Sequence, residues 1–90
     1  MSEIYPLWKK RPLIPTLSAN RELLKLNMDL FDVLEILEKG FDCSASKRRS
    51  GTVEKCIKKK SKVIKAVVVE DEWRWSGEKV WTITHVGEVK

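Results

Sequence analysis

His85 is the side chain best suited to proton transfer, because imidazole alone among unperturbed side chains titrates near neutral pH. It follows a run of β-branched and aromatic residues at 80–86, so we place it near the end of a strand. As a general acid or base in phosphoryl chemistry it would need a nearby cation, such as Lys58, Arg48 or Arg49, to stabilise developing charge. The other interpretation is a structural histidine that closes the core.

Nine of the eighteen Lys and Arg residues fall between positions 47 and 65, where Glu54 is the single acid. Clustered cations attract a phosphate backbone without reading base sequence. Trp73 and Trp75 could add stacking surfaces, whereas Trp81 alternates with Ile83 and is favoured as a core residue. The sequence therefore predicts a nucleic-acid-binding surface, although a solvated basic surface would show the same pattern. The candidate phosphate contacts are Lys47, Arg48, Arg49, Lys55, Lys58 and Lys60.

Motifs for metals, cofactors and nucleophiles are absent from the sequence. Cys43 and Cys56 form no CxxC pair, and one histidine cannot complete a metal shell. No glycine-rich phosphate loop or paired-carboxylate motif occurs, so no cofactor is predicted. Cys56 also lacks a motif that would bring a base beside it, which favours a small buried apolar residue.

The two cysteines are predicted to lie close together. If residues 41–46 and 52–58 form a hairpin with Lys47 opposite Thr52, Cys43 faces Cys56. In a reducing cytosol the thiols would stay free, and in a hyperthermophile they could form a bridge. Abundant Lys and Glu with two Asn and no Gln resemble the composition of proteins from hot-adapted organisms.

Composition predicts one charge-rich globular domain. The chain has 90 residues, of which 42% are hydrophobic and 34% charged, with a net charge of +5. No apolar run approaches the roughly 18 residues that cross a bilayer, and no leader precedes a cleavage site. We therefore expect a cytoplasmic protein with no membrane contact, whose charge suits a polyanionic partner.

The predicted elements divide the chain into a proline-rich arm at 1–17 and one α+β domain at 18–90. Three prolines in the arm argue against a regular helix or a central strand. Ser18 can cap a short helix at 19–26, and Asp29 can cap a second helix through Lys39, with Gly40 left-handed at its end. Strands are predicted near 41–46, 52–58, 63–69 and 80–86. The fold class is two N-terminal helices packed on one face of a four-stranded antiparallel sheet.

A family resemblance spans about residues 16–88. It is carried by Ser18-Ala19, the helix at 29–40, the segment at 46–54 and the strands at 63–69 and 80–86. In these stretches the chain resembles an uncharacterised prokaryotic domain family, regarded as a distant relative of the RelE/ParE and BrnT toxins. The resemblance implies a compact RelE-like fold with a curved antiparallel sheet. It also implies descent from a ribosome-dependent or free ribonuclease that cleaves RNA with basic and aromatic side chains.

This chain departs from the family pattern at two helix positions. Many members begin the first helix with a His-Ala pair and place an Arg before the second helix, where this chain has Ser18-Ala19 and Leu26. The basic hairpin and His85 remain as candidates for a site. Two hypotheses follow: an RNA- or ribosome-binding domain with weak endoribonuclease activity, and a non-catalytic interaction module. The module would form a homodimer or bind an acidic antitoxin-like protein, using the arm around Tyr5 and Trp8 and the connector that holds Trp73 and Trp75.

Overall fold

The computed structural model describes residues 5–43 and 51–89, which form one curled six-stranded mixed sheet with two helices against one face. The sheet order is β1-β2-β6-β5-β4-β3. The elements are β1 (Leu7–Trp8), β2 (Arg11–Pro15), α1 (Leu17–Lys25), α2 (Leu30–Lys39), β3 (Phe41–Asp42), β4 (Thr52–Lys59), β5 (Lys62–Glu72) and β6 (Lys79–Val89). Neither helix is long and apolar enough to cross a membrane.

The predicted fold class of two helices on a four-stranded antiparallel sheet is wrong. Strands β3 to β6 do pair antiparallel in chain order. The predicted arm, however, supplies β1 and β2, and β2 pairs parallel with β6. The sheet therefore has six strands of mixed direction, because the arm, which was predicted to hold no central strand, supplies two of them.

Strand β2 lies between two neighbours although it contains Pro12 and Pro15. The amide of Leu13 donates on the β1 side, and the amide of Thr16 donates to the Ile83 carbonyl of β6 at 3.0 Å. Because amides alternate in direction along a strand, the nitrogen of Pro15 faces the β1 side. Pro12 precedes Leu13, the first residue paired with β6. Neither proline therefore removes a hydrogen bond from the described β2–β6 pairing.

Both helices begin at a side-chain cap. The Thr16 hydroxyl accepts the Ala19 amide at 3.0 Å, so α1 begins two residues before the predicted start. Helix α2 begins after Asp29 as predicted, and Asp29 and Asp32 each accept the other's backbone amide in a capping box. Such caps satisfy amides that have no partner within the helix.

Gly40 ends α2 in an extended conformation, with φ −75° and ψ 176°, and the predicted left-handed conformation is wrong. The reason for glycine here is close packing. A Cβ at this position would overlap the backbone carbonyl oxygens of Ile36 in α2 and Cys56 in β4. Gly40 therefore allows the end of α2 to lie directly against the sheet as the chain enters β3.

The core fills the space between the helices and the sheet. Its fully buried side chains include Leu13, Val33, Ile36, Val68, Ile83 and Val86. The Trp8 and Trp81 rings pack with centroids 5.0 Å apart, and the Trp81 Nε1–H donates to the Trp8 carbonyl at 3.1 Å. The prediction that Trp81 is a core residue is confirmed, since it is 4% exposed.

The predicted hairpin between residues 63–69 and 80–86 is confirmed as the β5–β6 pair, which carries a bulge at Val67/Val68. The register passes from Val67 opposite His85 to Val68 opposite Ile83, which leaves one extra residue in β6. Ile83 and Val86 are three residues apart, so a regular strand would place them on opposite faces. The bulge lets both enter the core. His85 is then directed away from the core.

Cys43 and Cys56 form a disulfide, with Cα atoms 5.5 Å apart. The predicted proximity of the two cysteines is confirmed, but the predicted register is wrong by two residues. Phe41, and not Cys43, lies directly opposite Cys56. The bridge is therefore diagonal, and it joins the end of β3 to the middle of β4.

Candidate nucleic-acid interface

The sheet face opposite the helices carries a surface that combines an apolar pocket with lysines that form no ion pair within the described residues. We call it the outer surface, and it belongs to the ends of β3 to β6. Adjacent strands place Lys58, Val63 and Val89 in one row. The next row holds Phe41, Cys56, Lys65 and Gly87, and a further row holds Glu54, Val67 and His85. Because side chains alternate between faces, members of these rows share the outer side of the sheet.

A shallow pocket of about 210 Å³ lies on the outer surface. It is lined by Phe41, Cys43, Glu54, Cys56, Val63, Lys65 and Val89. Phe41 is 52% exposed and Val89 is 41% exposed, so both apolar side chains are accessible beside the pocket. An exposed ring beside an apolar depression provides a flat surface on which a planar group can stack.

The β4–β5 turn presents three exposed lysines, of which Lys58 and Lys60 lie on the side or tip nearest this pocket. Lys59 pairs with Lys62, which leaves a two-residue turn of Lys60 and Ser61, and Lys60 has a φ of 55°. Lys58, Lys60 and Lys62 are exposed. Within residues 5–43 and 51–89, none of the three ammonium groups forms an ion pair. Lys58 extends on the outer side, so the turn places positive charge at the edge of the pocket. Lys62 lies opposite Lys59, and both extend on the helix side of the sheet.

Other cations of the predicted cluster are neutralised by acids of the protein itself. Lys55 Nζ lies 2.7 Å from Asp42 Oδ1, and Lys65 Nζ lies 3.1 Å from Glu54 Oε2. Lys59 lies within 4 Å of two carboxylates of α2, those of Asp32 and Glu35. The structure thus brings Lys58 and Lys60 together, with Lys62 added, and places Lys55 in a separate ion pair. Lys47, Arg48 and Arg49 lie outside the described residues.

His85 forms a pair with Glu22 that the sequence did not predict. Its Nδ1 lies 3.1 Å from Glu22 Oε2, and the other oxygen of Glu22 accepts the Val86 amide at 2.9 Å. The β2–β6 register ends at Ile83, so beyond it Glu22 of α1 supplies an acceptor to the edge of β6. This backbone bond fixes the carboxylate and orients the imidazole, as carboxylates do for many catalytic and ligating histidines.

The imidazole lies over Gly87. A Cβ at Gly87 would come within 3.0 Å of His85 Nε2, so the absence of a side chain gives the ring room on the strand. The His85 side chain is 46% exposed. It is therefore within reach of a ligand on the outer surface, while its Nδ1 is engaged by Glu22.

The lysine turn and His85 occupy different parts of the outer surface. Lys58 shares a row with Val89, four residues along β6 from His85 and two strands away. At roughly 3.3 Å per residue and roughly 4.8 Å per strand, the two backbones are about 16 Å apart. Lys58 therefore does not lie beside the imidazole, as phosphorane stabilisation would require. Lys65, one row closer to His85, is engaged by Glu54.

The tryptophans of the predicted protein-contact surface separate in the structure. Trp8 is 7% exposed and belongs to the core, so it is not available to a partner. Trp75 is 85% exposed on the β5–β6 connection, at the opposite end of these strands from the lysine turn. The turn that carries it is closed by bonds from the Trp73 amide to the Glu78 carbonyl and from the Gly77 amide to the Trp73 carbonyl, each 2.7 Å.

Comparison with known proteins finds no family model, curated protein or solved structure that matches this chain. The site is therefore interpreted from its own geometry.

Proposed function

We propose that the protein binds single-stranded RNA on the outer surface. The observation that carries this proposal is the juxtaposition of the unpaired lysines of the β4–β5 turn with the exposed Phe41 ring and its pocket. Proteins that bind single strands combine cations that follow the backbone with aromatic rings that stack bases. Lys58 and Lys60 supply the cations, and Phe41 supplies the ring.

The arrangement suits an unpaired strand better than a duplex. A base must leave its stack to lie on Phe41, and bases in loops and single strands are free to do so. The pocket is shallow and mostly apolar, so it contacts the face of a base and discriminates little between bases. We therefore expect weak sequence preference and a strong dependence on salt.

Charge-matched variants test the role of the lysine turn. Lys58→Gln combined with Lys60→Gln removes two charges from the outer side and tip of the turn. Lys25→Gln combined with Lys39→Gln removes two exposed charges from the helix ends. Fluorescence anisotropy with a labelled oligouridine, measured over a range of salt concentrations, compares the two. The slope of log binding constant against log salt is negative, and the turn variant should make it shallower by about 1.4. Each phosphate contact to a single strand contributes about 0.7 to the size of this slope.

Aromatic-matched variants test the role of the ring. Phe41→Ala removes a ring that is 52% exposed on the outer surface, and Phe31→Ala removes one that is 63% exposed on α2. Loss of stacking at Phe41 should weaken binding by about 1–3 kcal/mol, and Phe31→Ala should leave affinity unchanged. Equal effects within either matched pair would contradict binding at this surface, as would the absence of salt-dependent binding in the parent protein.

RNA cleavage by a RelE-like mechanism is a second candidate, favoured by the orientation that Glu22 imposes on His85. In this proposal Nε2 exchanges a proton with a ribose hydroxyl or the leaving oxygen, and Glu22 holds the ring. Incubation with labelled RNA, with and without ribosomes, tests it. His85→Asn should abolish cleavage, and Glu22→Gln should reduce it while keeping an oxygen for the Val86 amide. Cleavage that persists in His85→Asn, or none in the parent protein, would exclude this candidate.

A further inference from the structure

The disulfide forms part of the proposed RNA-binding surface. Cys43 and Cys56 both line the pocket beside Phe41. Cys56 also lies directly opposite Phe41 in the β3–β4 register. The short strand β3 therefore connects the position of the Phe41 ring to the oxidation state of the Cys43–Cys56 disulfide.

Beyond Gly40, which packs against the Cys56 backbone, strand β3 has little else to hold it against β4. It consists of Phe41 and Asp42, both of which are exposed, and it pairs with β4 through these two residues only. Asp42 also forms an ion pair with Lys55, but its side chain is 87% exposed, and ion pairs so accessible to water contribute little to stability. A two-residue edge strand without buried side chains is not stable by itself.

We infer that the Cys43–Cys56 disulfide is a thiol-sensitive latch that holds β3 on the sheet and thereby switches the RNA-binding surface. This inference rests on the proposed function for its effect on RNA. In the oxidised protein, Phe41 is held beside the pocket. In the reduced protein, β3 separates from β4, the ring leaves the pocket, and affinity falls while the lysine turn and the core stay in place.

The exposure of the two cysteine residues sets the order of the exchange. Cys56 is 3% exposed, whereas Cys43 is partly exposed, so Cys43 Sγ is the accessible target. A thiolate of a dithiol reductant attacks this sulfur, forms a mixed disulfide and expels the Cys56 thiolate, which takes up a proton. The second thiol of the reductant then displaces the Cys43 thiol and closes the reductant's own disulfide. A small disulfide such as oxidised glutathione reverses the two-electron step.

Two measurements on the intact protein test the latch. Amide hydrogen exchange, with and without dithiothreitol, compares β3 with Ala66 and Val67 in the central strand β5. Anisotropy with the labelled oligouridine compares the affinities of the two forms. Reduction should speed exchange in β3 at least about tenfold, leave β5 protected, and weaken RNA binding about tenfold, as expected for one lost stacking contact. Cys43→Ser should match the reduced protein and should not respond to dithiothreitol.

The outcomes separate the latch from RNA binding itself. Reduced protein that keeps β3 protected, or that binds RNA as tightly as the oxidised form, overturns the latch. If neither form binds RNA, the proposed function fails. In that case hydrogen exchange in β3 alone decides whether the disulfide holds the strand. Loss of protection in β5 on reduction would show global destabilisation, which also overturns a local latch.

Discussion

Gly40→Ala is expected to be among the most damaging single-methyl changes in the described chain. The added Cβ would overlap the carbonyl oxygens of Ile36 and Cys56. Both are backbone atoms, so neither can rotate away as a flexible side chain would. Relief requires the end of α2 to separate from β4, although the Gly40 amide donates to the Ile36 carbonyl at 2.8 Å. Overpacking costs about 1–3 kcal/mol where side chains can adjust, so we expect about 3 kcal/mol or more here.

Urea and thermal unfolding, followed by circular dichroism, measure this cost. For a domain of this size, 1 kcal/mol shifts Tm by about 4–8 °C, so Gly40→Ala should lower Tm by about 12 °C or more. Gly87→Ala is the matched control, because its Cβ would meet only the far end of the His85 side chain. We expect the control to change the free energy of unfolding by less than about 1 kcal/mol. If Gly40→Ala were as mild as the control, the packing explanation for this glycine would be refuted.

Three further substitutions test contacts that join distant parts of the chain, and urea denaturation measures each. Glu22→Ala should cost about 1.5–3 kcal/mol by removing the charged acceptor of the Val86 amide, and Glu22→Gln should recover most of this loss; equal losses would show that the backbone bond is unimportant. Asp29→Ala should cost about 1 kcal/mol through loss of the α2 cap, and an unchanged midpoint would contradict it. Trp81→Phe should cost about 2 kcal/mol, because it leaves the buried Trp8 carbonyl without its donor, and an unchanged midpoint would refute this.

Features that depend on neighbouring residues were predictable from the sequence. The second helix follows from an Asp29 cap and apolar positions spaced for one face, and it runs to Lys39 as predicted. The β5–β6 hairpin follows from two β-branched runs separated by a polar connector. In both cases the signal and the structure lie within a few residues of each other.

The topology depended on pairing that local rules do not describe. Proline has no backbone N–H to donate. Pro12 and Pro15 therefore argue against a strand with two neighbours only if their nitrogens face a backbone carbonyl of the neighbouring strand. In β2 those positions fall outside the described hydrogen bonds to β6. Parallel pairing between the two ends of the chain leaves no periodic signal in either segment. The sequence therefore predicted no central strand in the arm.

Only part of the candidate site could be predicted, because its other residues are brought together by folding from distant parts of the chain. The basic character of the β4–β5 turn is visible in the sequence, but the neutralisation of Lys59 and Lys65 depends on acids brought near by folding. Glu22 lies 64 residues from Val86, whose amide it accepts, so no local pattern could link it to His85. Phe41 became a candidate only when the sheet placed it beside the pocket.

The position of β2 between β1 and β6 has a consequence for how the protein reaches its native state. Leu13 pairs with Trp81, so the ends of a long stretch of chain must meet before β2 gains a neighbour in β6. Closing so large a loop costs entropy that only later contacts repay, and such pairings slow folding. On the ribosome, β2 emerges well before β6 is made. The antiparallel β4–β6 meander can assemble from local contacts, and β2 would join it last, together with the contact between the Trp8 and Trp81 rings.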